Sequence, residues 1–401
     1  MAGITPRTGY PAGSSPPQYA RSVPDVLTAP HLDVDALLGD PATRIVVCCG
    51  AGGVGKTTTA AALGVRAAEV HGRRTVVLTI DPARRLAQSM GLSELDNTPR
   101  QVKGIDAENG GELHAMMLDM KRTFDEVVAQ HTTPQRAAEI FANPFYQAMS
   151  STFAGTQEYM AMEKLGQLRA TDEWDLIVVD TPPSRSALDF LDAPARLSRF
   201  LDGRMLRMLL APARSGGRSM FSLVTASFGL FSRVVQKILG AQLLTDLSGF
   251  VAALDSMFGG FRHRADDTYR ILQDPQTAFL LVAAPERDAV REAAYFAERL
   301  VAERMPLAGL VVNRMHHSDV GELSAQRSEE AAAELDAAGD QQMTADALRV
   351  HAALVRQTER EVSVAATLTD AFPQVPSVAV TAQPADVHDV DGLRTIGALL
   401  A

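Results

Sequence analysis

The chain alternates short apolar runs, rich in β-branched residues, with longer stretches in which apolar residues recur every three or four positions. This alternation predicts βαβ units, and therefore an α/β fold with a doubly wound, mostly parallel sheet between two layers of helices. Several short runs are apolar throughout, which is typical of strands buried on both faces. The predicted strands are residues 44–49, 75–80, 113–118, 176–179, 278–283, 309–312 and 377–380.

Two long stretches depart from the alternation. Residues 121–170 and 188–269 have the apolar spacing of helices and contain no run typical of a strand. We expect both to be insertions that together form a helical subdomain on one side of the sheet. The second is rich in Met, Phe and Leu between residues 201 and 231. Residues 289–301 and 320–368 are also predicted to be helical, the first as a helix packed on the sheet.

The first residues of the chain differ from the rest in composition. Residues 1–30 are rich in Pro, Gly and Ser and have few aliphatic clusters, which predicts a disordered tail. Residues 31–401 are predicted to form one core that carries both helical insertions.

The overall composition narrows the class of partner. The chain has 401 residues, of which 46% are hydrophobic and 21% charged, and its net charge is -10. A negative chain is poorly suited to binding nucleic acid or an anionic membrane through bulk charge, so no nucleic-acid partner is expected. The uncharged run at residues 219–232 is shorter than the roughly 20 residues of a membrane-spanning helix, so no transmembrane segment is predicted.

The cysteines and the paired histidines predict no metal site. Cys48 and Cys49, the two cysteines of the chain, are adjacent in the first predicted strand and are interpreted as small core residues. Two cysteines without a disulfide framework are typical of a protein in a reducing compartment, so a cytoplasmic protein is expected. His316 and His317 have no third ligand nearby in the sequence and are interpreted as loop residues.

A glycine-rich loop, GAGGVGKTT, follows the first predicted strand and begins a helix. Its glycines let the backbone approach a phosphate closely, and the helix N-terminus adds a positive dipole end. Lys56 is expected to contact the β- and γ-phosphates of ATP, and the Thr57 hydroxyl to bind Mg²⁺. The segment therefore predicts a P-loop. Its predicted nucleotide-binding residues are Gly50, Gly52, Gly53, Val54, Gly55, Lys56, Thr57 and Thr58.

Two aspartates follow predicted strands at the edge of the sheet where the loop lies. Asp180 follows the strand at 176–179, and we predict that it binds Mg²⁺ together with Thr57. Asp81 follows the strand at 75–80 and could orient a water against the γ-phosphate, so it is the predicted catalytic partner of Lys56. The alternative for each aspartate is a structural one, in which it caps the following helix.

These motifs resemble those of a known family. The glycine-rich loop, the Asp-Pro-Ala motif at 81–83 and the Asp-Thr-Pro-Pro motif at 180–183 occur in the order of the deviant-Walker-A P-loop ATPases. Within them the chain is most similar to the arsenite-pump ATPase family, which includes the ATPase that targets tail-anchored membrane proteins, and there to an actinobacterial branch. The resemblance extends from about residue 44 to the C-terminus, without the first residues. It implies a P-loop NTPase fold with ATP and Mg²⁺ as cofactors.

The resemblance also implies roles that the spacing alone does not give. Asn313 matches the residue that reads the adenine, and Pro384 and Asp386 match the loop that closes over the base. Asp81 matches the water-orienting residue of switch I, and residues 180–183 match switch II. The family further implies a dimer that is switched by the nucleotide, either a homodimer or a heterodimer with a paralogous ATPase.

The chain departs from the family inside the loop itself. The family has a lysine at the position of Ala51, and that lysine would reach the partner's phosphates in the dimer. We hypothesise that Arg84, Arg85 or Arg185 supplies the missing charge, the alternatives being that these arginines are merely solvated or that a paralogous partner carries the lysine. The cysteines with which the family binds zinc or arsenite are also absent.

Several functions are compatible with these residues. We expect an ATPase that couples cleavage of the β–γ phosphoanhydride to the capture of hydrophobic membrane-protein clients, through the apolar residues 201–231. Those residues are as well suited to an internal core. The alternatives are the energising subunit of an anion or arsenite pump, a partition ATPase that would need a basic C-terminal helix, and a weakly hydrolysing nucleotide-binding subunit of a heterodimer.

Overall fold

The computed structural model describes residues 29–81, 85–144, 146–147, 156–182, 266–320, 323–339 and 341–401, and the side chains of 85 and 156–159 are excepted. Most of the predicted tail and of the second predicted insertion therefore lie outside the described residues. The same holds for the apolar stretch 201–231, for Arg84 and Arg185, and for the side chain of Arg85. Their predicted roles stay predictions.

A single eight-stranded sheet forms the centre of the described chain, in the order β3-β4-β2-β5-β1-β6-β7-β8. All pairs are parallel except β3 with β4. This confirms the predicted α/β class and all seven predicted strands. The strands are β1 (Ile45–Gly50), β2 (Arg74–Thr79), β3 (Arg100–Gln101), β4 (Glu112–Met117), β5 (Leu176–Asp180), β6 (Thr277–Ala283), β7 (Leu307–Met315) and β8 (Ser377–Thr381).

Helices follow most strands and cover both faces of the sheet. The helix predicted at 289–301 is present, and the described part of the predicted helical region 320–368 forms two helices. The described part of 121–170 is helical, while its division into a separate subdomain stays a prediction. The helices are α1 (Val34–Gly39), α2 (Lys56–Glu69), α3 (Arg85–Ser89), α4 (Met120–His131), α5 (Pro134–Ala142), α6 (Thr156–Thr171), α7 (Arg287–Ala302), α8 (Ala325–Ala338), α9 (Gln342–Ala371) and α10 (Val390–Leu400).

The core has two layers because successive strand residues point to opposite faces. Along β1, Ile45, Val47 and Cys49 join an apolar cluster that includes residues of α4, α6 and α7. Val46 and Cys48 join the cluster on the other face, which includes residues of α1, α2 and α10. The adjacent cysteines therefore lie on opposite sides of the sheet, both fully buried, as predicted for core residues.

The C-terminal helix α10 packs on the helix that follows the glycine-rich loop. Its residues Leu393, Ile396, Leu399 and Leu400 are buried in the second cluster, and α10 lies against α2. The Arg394 guanidinium bonds the Glu69 carboxylate of α2 at 2.7 Å. The apolar face of the last helix is thus already covered. No helix within the described ranges combines the length and the apolar character needed to cross a membrane.

Candidate functional site

The glycine-rich loop connects the end of β1 to the start of α2. Three of its glycines have positive φ: Gly50 at 149°, Gly53 at 78° and Gly55 at 96°. A Cβ at Gly50 would lie 2.0 Å from the Val282 carbonyl oxygen of β6, and one at Gly55 would lie 2.2 Å from Asn313 Nδ2. At Gly53 no described atom would lie within 4 Å of a Cβ. Gly50 and Gly55 therefore permit close packing, and Gly53 faces open space that a phosphate could enter.

Lys56 lies inside this loop at the N-terminus of α2. Its ammonium donates a hydrogen bond to the Ala51 carbonyl oxygen at 2.8 Å, and the side chain is 7% exposed. Burial lowers the pKa of Lys56, and the Asp180 carboxylate opposes that shift. A positive charge held in a dry loop acts strongly on a nearby anion, because little solvent screens it. Lys56 is therefore placed to act on a phosphate bound in the loop.

Thr57 and Asp180, the two residues predicted to bind magnesium, are in direct contact. Strand β5 lies between β1 and β2, with Asp180 opposite Cys48 on one side and Thr79 on the other. The Thr57 hydroxyl donates to Asp180 Oδ2 at 2.8 Å. The Thr79 hydroxyl donates to the same oxygen, also at 2.8 Å. Thr79 was not among the residues predicted from the sequence, although a polar residue at the end of a strand near the glycine-rich loop can indicate a residue of the site.

The Asp180 carboxylate has the properties of a cation ligand. It is fully buried, and its Oδ1 has no hydrogen-bond partner among the described residues. Burial raises its pKa to about 6, although the two threonine hydroxyls and Lys56 favour the charged form. Buried polar atoms without partners are uncommon, and Mg²⁺ prefers hard oxygen ligands such as these. The Thr57 and Asp180 side chains therefore fit a magnesium ion.

Asp81 lies at the same edge of the sheet. It is half-buried just after β2. Its negative charge raises the pKa of both Lys56 and Asp180. The arrangement brings the two predicted catalytic residues to one edge, while the role of Asp81 toward a water stays a prediction.

The residues predicted to bind the base lie on β7 and in the connection that follows the neighbouring strand β8. Asn313, at an irregularity near the end of β7, is 8% exposed and donates through Nδ2 to the Val54 carbonyl oxygen of the loop at 2.8 Å. Pro384 and Asp386 are exposed in the connection from β8 to α10. The structure thus joins Asn313 to the phosphate loop itself, a contact that the sequence did not predict.

The remaining loop residues differ in exposure. Gly52 and Gly53 are exposed, Thr58 is half-buried and Val54 is buried. Ala51 is 5% exposed and belongs to the apolar cluster beneath α2. The position at which the family has a lysine is therefore an apolar one in this chain.

A second polar cluster, which was not predicted from the sequence, lies between the loop that follows β7 and helices α8 and α9. Glu361 of α9 accepts hydrogen bonds from the His316 backbone N–H and from Gln357 Nε2, and its Oε1 lies 2.7 Å from His316 Nδ1. His351 lies between the hydroxyls of Ser318 and Ser328, at 2.9 and 2.8 Å. These contacts hold the loop after β7 against α8 and α9. His316 is therefore a loop residue, as interpreted from the sequence, with a structural partner.

Replacing Asp180 by asparagine is expected to stabilise the metal-free protein, and more so at high pH. Burial raises the pKa of Asp180 from 3.8 to about 6, so the folded state binds the proton more tightly than the unfolded state. The carboxylate therefore costs stability that grows as pH rises through this window, to about 3 kcal/mol at pH 8 and about half of that at pH 5.

Thermal unfolding in EDTA, followed by the fluorescence of Trp174, the one tryptophan of the chain, measures this difference. Asp288→Asn is the matched control, because the Asp288 side chain on α7 is 84% exposed and its variant should show no such gain. A gain in Asp180→Asn that is equal at pH 5 and pH 8 would contradict the assignment of a raised pKa.

Comparison with known proteins agrees with this geometry. A family model described as anion-transporting ATPase matches residues 43–371. An "ATPase GET3" of Malassezia globosa (strain ATCC MYA-4612 / CBS 7966) is 28% identical over 165 residues, which cover 41% of this chain and 46% of that protein. A "Putative arsenical pump-driving ATPase" of Prosthecochloris vibrioformis is 32% identical over 162 residues, which cover 39% and 36%.

A longer match is found with "ATPase GET3B" of Arabidopsis thaliana, which is 25% identical over 312 residues, covering 71% of this chain and 67% of that protein. The chain spans less than half the length of the first two relatives. The family match, by contrast, covers most of the chain and includes the loop, Asp81, Asp180 and Asn313. The chain therefore belongs to the anion-transporting ATPase (ArsA) family.

Proposed function

We propose that the chain binds ATP with Mg²⁺ at the P-loop and hydrolyses the β–γ phosphoanhydride. The observation that carries this proposal is the contact between Thr57 and Asp180, at 2.8 Å, with a buried carboxylate oxygen left without a partner beside Lys56. Together with the loop glycines, these groups offer one phosphate cradle and one cation site at the same edge of the sheet.

Each residue then has a role in this proposal. The loop backbone, free of side chains at Gly53, presents N–H groups to the phosphates, and Lys56 neutralises charge that develops on the β–γ bridging and terminal oxygens. Thr57 and Asp180 would hold Mg²⁺, which when bound neutralises charge on the β- and γ-phosphates. Asp81 orients the attacking water. Asn313 holds the Val54 carbonyl and so fixes the shape of the loop.

Release of phosphate from ATP by the purified chain, with Mg²⁺ and with EDTA, tests the proposal. Asp180→Asn is expected to lower turnover at least about 100-fold, because metal charge contributes several kcal/mol to such a transition state. Asp288→Asn should retain the wild-type rate. Turnover that does not need Mg²⁺, or that persists in Asp180→Asn, would contradict the assignment.

The finer proposal is a nucleotide-switched dimer that captures hydrophobic clients. It is supported by membership of the family, by relatives named ATPase GET3, and by the Met-, Phe- and Leu-rich residues 201–231. Native mass determination with ATP is expected to give a homodimer or a complex with a paralogous chain. A monomer in both nucleotide states, with no binding of a transmembrane peptide in either, would contradict it.

The family has a lysine at the position of Ala51, and its positive charge would act on the partner's phosphates. In this proposal another group supplies that charge. Ala51 is buried among apolar residues, so we propose Arg84, Arg85 or Arg185, or a partner chain, as the source. Alanine substitution of each arginine is expected to lower turnover at one position. Wild-type turnover in all three variants would leave only the partner chain as the source.

An arsenical pump function has a specific difficulty in this chain, although one relative carries that name. Arsenite binds to thiolates, and burial raises the pKa of both Cys48 and Cys49. Arsenite and antimonite are therefore expected to leave the rate of ATP turnover unchanged in a phosphate-release assay. Stimulation by more than about twofold would contradict this expectation and would favour the pump subunit. Equal amounts of sulfate, an anion that has no affinity for thiols and does not contribute to the phosphate signal, serve as the control addition.

A further inference from the structure

The hydroxyl of Thr79 occupies a special place beside the proposed magnesium site. Thr79 is the last residue of β2 and is 1% exposed. It is paired with Asp180 of β5, and the Ile80 N–H that follows it bonds the Asp180 carbonyl oxygen at 3.0 Å. Backbone and side chain thus both join the end of β2 to Asp180.

Two hydroxyls converge on one carboxylate oxygen. Thr57 and Thr79 each donate to Asp180 Oδ2 at 2.8 Å, whereas Oδ1 has no partner among the described residues. The other acceptor within reach of Thr79, the Asp81 carbonyl oxygen, is 3.5 Å away. Because a charged acceptor makes the stronger hydrogen bond, the Thr79 hydroxyl donates mainly to the Asp180 carboxylate rather than to the Asp81 carbonyl oxygen.

The two hydrogen bonds on Oδ2 fix the orientation of the Asp180 carboxylate and of the Thr57 hydroxyl. A carboxylate that accepts two hydrogen bonds on Oδ2 cannot turn about its side-chain bonds without losing both. Oδ1 is then held as the available oxygen. The Thr57 hydroxyl keeps its proton directed at Oδ2, so the lone pairs of that hydroxyl remain for a cation. Residues that orient metal ligands in this way affect metal affinity although they do not touch the metal.

We propose that Thr79 is a positioning residue of the magnesium site, which fixes the Asp180 carboxylate and, through it, the Thr57 hydroxyl. The proposal rests on the proposed function, because it concerns how the same site holds Mg²⁺–ATP. Thr79 touches neither the nucleotide nor the metal in this account. Its removal should therefore weaken the contribution of Mg²⁺ to nucleotide binding and leave metal-free binding as it is.

The test measures the dissociation constant of a fluorescent, non-hydrolysable ATP analogue with Mg²⁺ and with EDTA, on the full chain. The ratio of the two constants is the contribution of magnesium. In Thr79→Val this ratio is expected to fall about tenfold or more, with the EDTA value unchanged. Thr79→Ser keeps the hydroxyl and should keep the ratio.

Thr75→Val is the matched control. Thr75 lies on the same strand and the same face, is fully buried, and its hydroxyl bonds the Arg73 carbonyl oxygen at 3.3 Å, away from the site. Its variant should retain the ratio of the wild type. Trp174 fluorescence checks that each variant is folded, and if Thr79→Val does not fold, Thr79→Ala is compared with Thr79→Ser in its place.

The outcomes separate this proposal from the proposed function. An unchanged ratio in Thr79→Val would overturn the positioning role, and so would an equal loss in Thr79→Ser or a parallel loss in EDTA, since these indicate packing. A wild-type chain without any magnesium effect would instead overturn the proposed function. Loss confined to the Val and Ala variants supports the role of Thr79.

Discussion

Lys56→Ala is expected to lower the rate of ATP hydrolysis by about 100-fold to 1,000-fold. Lys56 is the cation inside the loop, 7% exposed, with its ammonium bonded to the Ala51 carbonyl oxygen. Preorganised charge of this kind acts mainly on the transition state, where negative charge moves along the phosphate oxygens. Because Lys56 is buried, little water screens its charge, and a cation from the solvent cannot take its place. Phosphate release under saturating ATP and Mg²⁺ measures the effect.

Lys103→Ala is the control for this variant. Lys103 is exposed, outside the loop, and its removal changes the net charge of the chain by the same amount. It should hydrolyse ATP at the wild-type rate. A Lys56→Ala variant that turns over within about threefold of the wild type would show that the loop does not hold the reacting phosphate.

Gly50→Ala is expected to lower the free energy of unfolding by about 3 kcal/mol. Gly50 has a φ of 149°, and it is paired in register with Val282 of β6. A Cβ there would lie 2.0 Å from the Val282 carbonyl oxygen, a backbone atom that cannot move without disturbing the sheet. The loop that follows would be displaced together with the strand, so nucleotide binding should weaken as well.

Gly91→Ala separates the two causes of that loss. Gly91 has a φ of 65°, but a Cβ there would have no described atom within 4 Å. Its variant bears the cost of the backbone conformation alone, about 1 kcal/mol. Denaturant unfolding followed by Trp174 fluorescence compares both variants. Equal losses in Gly50→Ala and Gly91→Ala would show that β6 yields to the added methyl group.

The sequence predicted the parts of the site that lie next to each other along the chain. The strand, glycine loop and helix at 44–63 form a local motif, and the carboxyl edge of a parallel sheet collects the residues that follow its strands. For that reason Asp180 and Asp81 were placed at the correct edge. The seven long strands were predicted for a similar reason, since each is an apolar run. Strand β3 was missed because its two exposed residues carry no apolar signal.

Contacts between distant positions could not be predicted in the same way. The hydrogen bonds from Thr79 to Asp180, from Asn313 to Val54 and from His316 to Glu361 depend on the order of the strands and on the register of their pairing. The spacing of apolar residues along the chain indicates neither the order of the strands nor their register. The burial of Ala51 is a further example, because the small side chain of an alanine in a glycine-rich loop is equally compatible with a buried and with an exposed position.

Calorimetric titration of a non-hydrolysable ATP analogue into the full chain, with Mg²⁺ and with EDTA, tests directly whether the chain holds a magnesium–nucleotide site. We expect one nucleotide bound per chain, with an affinity that Mg²⁺ raises at least about tenfold. Lys56→Ala should lose most of this binding, and Lys103→Ala should keep it. Absence of binding by the wild type, or binding that is the same in Lys56→Ala, would contradict the claim that residues 50–57 and Asp180 form a magnesium–ATP site.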